Sequence, residues 1–304
     1  MGAIRIGISG WRYPPWRGGF YPPGLAQHSE LEYASRAVPS IELNGSFYSL
    51  QRPESYAEWH DETPDDFVFS VKGNRFITHI KRLRDIEGPL ANVLASGVFN
   101  LGAKLGPFLW QFPPNFQFDP EKMEHFLSLL PHDTEQALEL ALKHEPRMEG
   151  RTALKIDGKR KLRHAVEIRH ESFADEAFIA MLRKYKVALV VADTAGKWPQ
   201  IEDVTADFMY LRLHGDKELY ASGYTEEALD RWAARIRAWA DGGQPEDAHL
   251  VSSKAPAQRK SRDVFCYFDN DVKVRAPLDA RRLIDKLGLD PEGKLTPLGP
   301  TPPG

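Results

Sequence analysis

The sequence has almost no cysteine, no long apolar run and no surplus of either charge, and each shortage excludes a class of protein. A single cysteine, Cys266, cannot close an internal disulfide, so the fold must rest on a buried core, as in proteins of a reducing compartment. A run such as the six residues Val187 to Ala192 falls far short of the roughly 20 apolar residues needed to cross a bilayer. The opening residues Met1-Gly2-Ala3-Ile4-Arg5 lack the charged start and apolar centre of a signal peptide. A soluble, cytoplasmic chain without a membrane partner is therefore expected. Forty Lys and Arg against 43 Asp and Glu leave a net charge of −3, so no global field recruits nucleic acid. No Walker-type phosphate loop, dinucleotide glycine fingerprint or paired CxxC occurs, which leaves ATP, NAD and structural zinc without support. No cofactor is expected.

What is present is an ordinary globular balance, 42% hydrophobic and 27% charged over 304 residues, enough to bury a sizeable core. Short apolar runs of strand character alternate with amphipathic stretches, the rhythm of a parallel sheet wrapped in helices. Eight strands are predicted: Ile4–Ser9, Ile41–Asn44, Phe67–Lys72, Lys104–Phe112, His164–Arg169, Val187–Asp193, Phe208–His214 and Val264–Asp269. Eight such units predict an α/β fold, a TIM-type (β/α)8 barrel forming a single domain over residues 1–289. Between the fourth and fifth strands, His132 to Arg163 is a long insertion with a helical piece near Glu135–His144. Asp119-Pro120-Glu121 reads as a capped helix start, and Ser172 with Asp175 as a capping box. Leu229, Trp232, Ala233, Ile236 and Trp239 recur at helical spacing as a core-facing stripe. The last helix runs from Pro277 to Gly288, and the Pro/Gly-rich tail 290–304 is expected to be disordered.

Active sites of such barrels lie at the carboxyl ends of the strands, and side chains alternate along a strand with period two. On the fifth strand Val166 and Ile168 face the helices, which turns Glu167 and Arg169 inward near the top. On the seventh, Met209, Leu211 and Leu213 leave Tyr210, Arg212 and His214 inward. The second strand contributes Glu42 and Asn44, the third Ser70 and Lys72, the fourth Gln111, the sixth Asp193 and the eighth Asp269-Asn270. These residues are expected to converge on one mouth. Glu167, Glu42, His214 and Lys72 are the candidates for moving protons. Arg169 and Arg212 are the candidates for gripping a phosphate or carboxylate. Asn44, Gln111, Asp193, Tyr210, Asp269 and Asn270 complete the binding set. His79, which follows Thr78, and the loop aromatics Trp11 and Tyr48 are added to it.

The pattern favours an enzyme acting by acid/base chemistry on a small anionic ligand. Carboxylates and imidazoles in a metal cage would not ordinarily be interspersed with three cations, so no metal is assigned. The alternative reading is a metal-dependent phosphodiesterase or endonuclease. It would use Glu42, Glu167, Asp193, His214 and Asp269 as divalent-metal ligands and the basic run at 155–163 against a nucleic-acid backbone. The same run beside a mouth would steer an anionic substrate, although a solvated loop is the plainer reading. A third reading makes the polar cluster a salt-bridge scaffold in a non-catalytic protein. Gly7-Ile8-Ser9-Gly10-Trp11 misses a nucleophile elbow because Trp11 stands where a small residue is needed, so Ser9 reads as a loop residue. Cys266 reads as a buried apolar filler.

Taken together, these segments resemble the YecE-like family, also called domain of unknown function seventy-two. The likeness rests on Gly7-Ile8-Ser9-Gly10-Trp11, on Glu42-Leu43-Asn44 with Phe47-Tyr48, on Lys72 with Thr78-His79, and on Gln111-Phe112-Pro113-Pro114 with Phe116. It continues through Glu167-Ile168-Arg169-His170 with Ser172, Tyr210-Leu211-Arg212-Leu213-His214-Gly215, and Tyr267-Phe268-Asp269-Asn270. The resemblance covers nearly the whole chain and implies a TIM-type barrel with a polar cavity at its top. It supplies no reaction, and the wider likeness to sugar isomerases and a base-excision-repair endonuclease is fold analogy alone. The sequence departs from the family pattern at Asp269, where an asparagine is expected, and at Phe173, where a tryptophan is expected.

Overall fold

The computed structural model describes residues 1–216, 223–270 and 274–298. Eight parallel strands close in sequence order: β1 (Ile4–Ser9), β2 (Ser40–Leu43), β3 (Val68–Lys72), β4 (Leu105–Gln111), β5 (His164–Glu167), β6 (Ala188–Asp193), β7 (Phe208–Leu213) and β8 (Asp263–Phe268). Ile4 opposite Val264 closes the ring. Around them run α1 (Glu30–Ala37), α2 (Gly45–Tyr48), α3 (Pro53–Glu62), α4 (Glu87–Ala95), α5 (Pro120–Leu129), α6 (Thr134–Ala141), α7 (Glu176–Lys184), α8 (Glu226–Ala240) and α9 (Arg275–Leu287). This is the TIM-type (β/α)8 barrel that the alternation predicts. Each strand lies within two residues of its predicted bounds, because short apolar runs flanked by turn residues mark their own ends.

Period-two alternation sorts the side chains into two shells. Val166, Ile168, Met209, Leu211, Leu213, Val264, Cys266 and Phe268 join the outer layer between sheet and helices. Leu109, Ala165, Val190, Phe208, Tyr210, Phe265 and Tyr267 form a separate cluster inside the barrel. Burial pushes the Cys266 thiol far up, which fits an inert filler. Gly7 is required on the inward row of β1: a Cβ there would meet the Ser40 carbonyl oxygen at 2.0 Å and crowd the Tyr267 ring.

Helix ends follow cap chemistry. Asp119, Asp133, Asp175 and Thr225 each accept a backbone N–H at the first turn of α5, α6, α7 and α8. Ser172 does not cap α7 as the predicted box would have it. It sits in a separate turn, where its Oγ accepts the N–H of Phe118. α8 buries the expected Leu229, Trp232, Ala233, Ile236 and Trp239. α9 opens two residues before Pro277 and closes at Gly288 in the left-handed conformation.

Two connections depart from a regular barrel. Among the described residues no helix separates β6 from β7. The gap is closed by extended chain, with buried Glu202 and Asp203 accepting backbone N–H groups from His249, Val251 and Ser252. The β4–β5 insertion carries α6 and returns to the sheet through 155–163. That run ends where β5 begins, at the amino end of the barrel, so it cannot steer substrate at the opposite mouth. Four of its five basic residues are paired: Lys159 with Glu135, Arg160 with Asp157, Lys161 with Asp207 and Arg163 with Asp263. Of the tail expected to be disordered, residues 290–298 are described. Thr296 donates to the Arg36 carbonyl oxygen at 2.7 Å, and Leu295 and Leu298 pack on the outer core. Residues 299–304 lie outside the described residues. No described helix is long and apolar enough to cross a membrane.

Candidate functional site at the barrel mouth

The carboxyl ends of the strands hold two layers of polar groups. The lower layer is organised by Arg212, which is 0% exposed. Its guanidinium donates to Glu42 Oε1 and Oε2 at 2.8 and 3.1 Å, to Glu167 Oε2 at 2.8 Å and to Asp269 Oδ2 at 2.8 Å. Glu42 also accepts the Ser9 hydroxyl and the Tyr210 hydroxyl, each at 2.6 Å. Glu167 further accepts Gln111 Nε2 on both oxygens and Arg169 Nε at 2.9 Å. Beneath them Tyr210 meets Ser70, and Tyr267 meets Ser40, at 2.7 and 2.8 Å. A buried charge is tolerable only when so compensated.

This saturation revises two expectations. Arg212 is enclosed by carboxylates and cannot grip a substrate anion. Glu42 and Glu167, both 0% exposed, have both carboxylate oxygens engaged by neighbouring donors. Burial pushes the Glu167 carboxyl up, but Arg212, Arg169, His214 and Lys72 outweigh it and hold it well below its ordinary value. Its protonated form is out of reach at neutral pH.

The upper layer reaches the surface. Lys72, the last residue of β3, is 8% exposed, and its Nζ lies 4.4 Å above the Phe47 ring of α2. No carboxylate among the described residues lies within 4 Å of that Nζ. Ser46 Oγ donates to the Lys72 carbonyl oxygen at 2.6 Å and fixes the backbone beneath it. Burial, reinforced by Arg212, pulls the ammonium down to about 8, while Glu42, Asp269 and Glu167 oppose the change. His79 packs edge-on against the same Phe47 ring at 5.1 Å, and its Nδ1 meets Thr78 Oγ1 at 2.8 Å. It rides a single π-type turn, Phe76–Ile80, whose start is tied by Asn74 accepting the Phe76 N–H. Burial, then Lys72, Arg75 and Arg169, pull the His79 imidazole down to about 4, so it is neutral at pH 7. His214 Nδ1 lies 3.0 Å from Asp269 Oδ2. Burial pushes the Asp269 carboxyl up, yet Arg212, His214 and Lys72 hold it below its usual range. Arg169 stacks on Trp198 with its guanidinium carbon 3.9 Å from the ring centre.

The predicted residues therefore divide. Glu42, Lys72, Gln111, Glu167, Arg169, Tyr210, Arg212, His214 and Asp269 come together, with Asn44 joined through its Nδ2 donating to Ser9 Oγ at 2.8 Å. Trp11 and Tyr48 line an adjoining hollow of about 280 Å³ with Tyr13 and Trp59; Trp11 is buried edge-on against Trp59, while Tyr48 is exposed. Two candidates fall elsewhere. Asp193 accepts Tyr224 Oη at 3.0 Å and Trp232 Nε1 at 3.3 Å, which binds β6 to α8. Asn270 donates to Asp279 Oδ2 at 3.0 Å and anchors α9. Ser9 is not in a loop but ends β1 inside the lower layer. The sequence reading also missed Phe47 and Trp198 as partners of Lys72 and Arg169, and the Ser40–Tyr267 pair beneath the charged groups, for which inward parity was the available signal.

The donor set does not fit the metal centre of the alternative reading. Glu42, Glu167 and Asp269 each hold the Arg212 guanidinium, which a divalent cation would have to displace, and Asp193 lies apart. Among the described residues no group of three His, Cys, Asp or Glu is spaced to hold a metal ion.

Comparison with known proteins places the chain. The family described as "Protein of unknown function DUF72" matches residues 5–303. The YecE protein of Escherichia coli K12 is 30% identical over 140 residues, 45% of this chain and 48% of that protein. YunF of Bacillus subtilis is 30% identical over 127 residues, 40% of this chain and 44% of that protein. The chain thus spans about half the length of the curated relatives it matches. Among solved structures, a DUF72 family protein of Thermotoga maritima superposes with a TM-score of 0.69 at 23% identity, covering 94% of this chain and 99% of that one. One from Enterococcus faecalis gives 0.66 at 16% identity, covering 94% and 95%. With a match running through all eight strands, the chain belongs to the DUF72 family of proteins of unknown function.

Proposed function

We propose that the protein is an enzyme that moves protons on a small polar, anionic substrate, a phosphorylated or carboxylated sugar-like molecule, at the barrel mouth. The observation carrying this reading is the contrast in saturation. Below, three carboxylates surround Arg212; above, Lys72 lies buried at the rim with no such partner among the described residues. A desolvated cation in that position favours an arriving anion. Arg169, stacked on Trp198, adds a second positive charge.

His79 is the proton acceptor in this scheme: it is uncharged at pH 7, and a value of about 4 makes it a weak base that holds the proton only transiently before passing it on. His214 is the second proton-carrying group, with Asp269 orienting its imidazole. Glu42, Glu167, Arg212, Tyr210 and Gln111 act as positioning residues that fix the charge beneath the substrate. Asn44, Trp11 and Tyr48 form the rim toward the aromatic hollow, where a sugar face could stack.

Solvent exchange tests the reading without knowledge of the product. A panel of phosphorylated and carboxylated sugars is incubated in D2O and followed by NMR for loss of carbon-bound hydrogen. Exchange is expected for at least one member and should fall at least tenfold in His79→Gln. If no member exchanges, and neither phosphate nor these sugars raises the melting temperature, the reading is wrong.

A further inference from the structure

We infer that Lys72 is a covalent nucleophile, forming an imine with the carbonyl carbon of a small aldehyde or ketone that carries a phosphate or carboxylate group. The inference rests on the proposed anionic site and names the chemistry of its substrate. Lys72 occupies the last position of β3, inward and at the carboxyl end, where barrel chemistry takes place. It is nine-tenths buried, yet no described carboxylate lies within 4 Å of Nζ. A lysine serving only structure would ordinarily be buried with an ion-pair partner.

The groups facing Lys72 fit an amine that alternates between charge states. Phe47 packs against Nζ from α2, and Ser46 holds its carbonyl. Arg212 from β7 repels the ammonium, whereas Glu42, Asp269 and Glu167 from β2, β8 and β5 attract it at longer range. Burial and the arginine win, so a sizeable fraction of the side chain is neutral amine near pH 8. His79 shares the Phe47 ring and is uncharged at that pH.

The step balances. The nitrogen lone pair of neutral Lys72 attacks the carbonyl carbon, the C–N bond forms and the C=O π pair moves to oxygen, which takes a proton to give the carbinolamine. Loss of that oxygen as water, with the second proton supplied by the site, leaves the protonated imine. Counted from the ammonium, one carbonyl compound and one –NH3+ give one iminium and one water, with charge +1 on both sides. The iminium replaces the ammonium charge over Phe47 and opposite the lower carboxylates, so no new uncompensated charge is buried. It also withdraws electrons from the neighbouring C–H bond, whose proton neutral His79 can accept. That is the exchange proposed above, now with an electron sink.

Reductive trapping tests it. The full chain is incubated at pH 8 with sodium cyanoborohydride and one of three probes: dihydroxyacetone phosphate, pyruvate or neutral dihydroxyacetone. The adduct is read by intact mass and located by peptide mass spectrometry. The expected result is a single adduct on Lys72 with one of the anionic probes. It should form at least tenfold faster than on other lysines, saturate with probe, and be absent in Lys72→Met and in Lys72→Arg, which retains the charge. The faster anionic arm identifies phosphate or carboxylate as the recognised group. Labelling spread evenly over surface lysines, equal in wild type and Lys72→Met, overturns the inference. If Lys72 is not labelled while solvent exchange of an anionic sugar persists, the imine fails and the acid/base reading survives. If neutral dihydroxyacetone labels Lys72 as fast as either anion, the imine stands and the anionic-substrate reading falls.

Discussion

The lower and upper layers of the barrel mouth contain the same kinds of residue but solve opposite problems. In the lower layer, Glu42, Glu167 and Arg212 are fully buried and satisfy one another. In the upper layer, Lys72 and His79 are desolvated and pushed toward their neutral forms. Desolvation alone makes a group reactive, whereas desolvation with a matched partner makes it structural. The presence of ionic side chains at strand ends therefore does not by itself separate scaffold from candidate site; how far each is satisfied by partners draws the line between the two layers.

The strongest way to break this division is to remove the hub. Arg212→Met leaves three carboxylates facing one another in the barrel, and stripping one partner from a buried pair costs about 3–5 kcal/mol. Urea unfolding should show at least that loss or no folded protein. A variant that stayed as stable as wild type, or gained stability, would move Arg212 into the functional layer.

Lys72→Met should act in the other direction. The folded-state value of Lys72 is depressed from 10.5 to about 8, so between those values the unfolded chain binds more protons and stability rises with pH. Wild type should therefore gain stability relative to Lys72→Met as pH climbs from 8 to 10.5, by about 3 kcal/mol at most. At pH 7 the variant should be as stable as wild type or more so. A loss of stability at pH 7 would assign Lys72 to the scaffold.

His79 gives a smaller effect of the same origin. Its folded value is depressed from 6.5 to about 4, so stability should fall as pH drops through that window while the unfolded chain takes up a proton. His79→Gln should flatten this part of the pH profile, followed by thermal unfolding between pH 4 and 7. Tyr48→Ala should change least. That ring is 69% exposed, and exposed substitutions stay within about 0.5 kcal/mol. A selective loss of sugar-phosphate binding in this variant would extend the upper layer into the aromatic hollow.

Much of this was legible from residue order. Parity along β5 and β7 assigned Glu167, Tyr210 and Arg212 to the interior, because a strand must point alternate side chains in opposite directions. The cap residues Asp119 and Asp175 marked helix starts because short acceptor side chains satisfy exposed N–H groups. Parity held even past the last strand residue, turning Arg169, His214 and Asp269 inward. Asp193 and Asn270 were assigned to the mouth from strand end alone; each continues the outward row of its strand, with Leu189 and Val191 on β6 and Cys266 and Phe268 on β8, and therefore meets an outer helix. The basic run before β5 was misplaced for a related reason: its charges were visible, but the end of the barrel they occupy depends on which end of the strand they adjoin.

Sequence alone determined the barrel and the polar character of its upper interior, both consequences of local periodicity and chain order. Only the tertiary structure decided which charges are quenched. Whether Arg212 meets three carboxylates and Lys72 meets an aromatic ring depends on distances between strands far apart in the chain, and electrostatic environment is a property of those distances, not of composition.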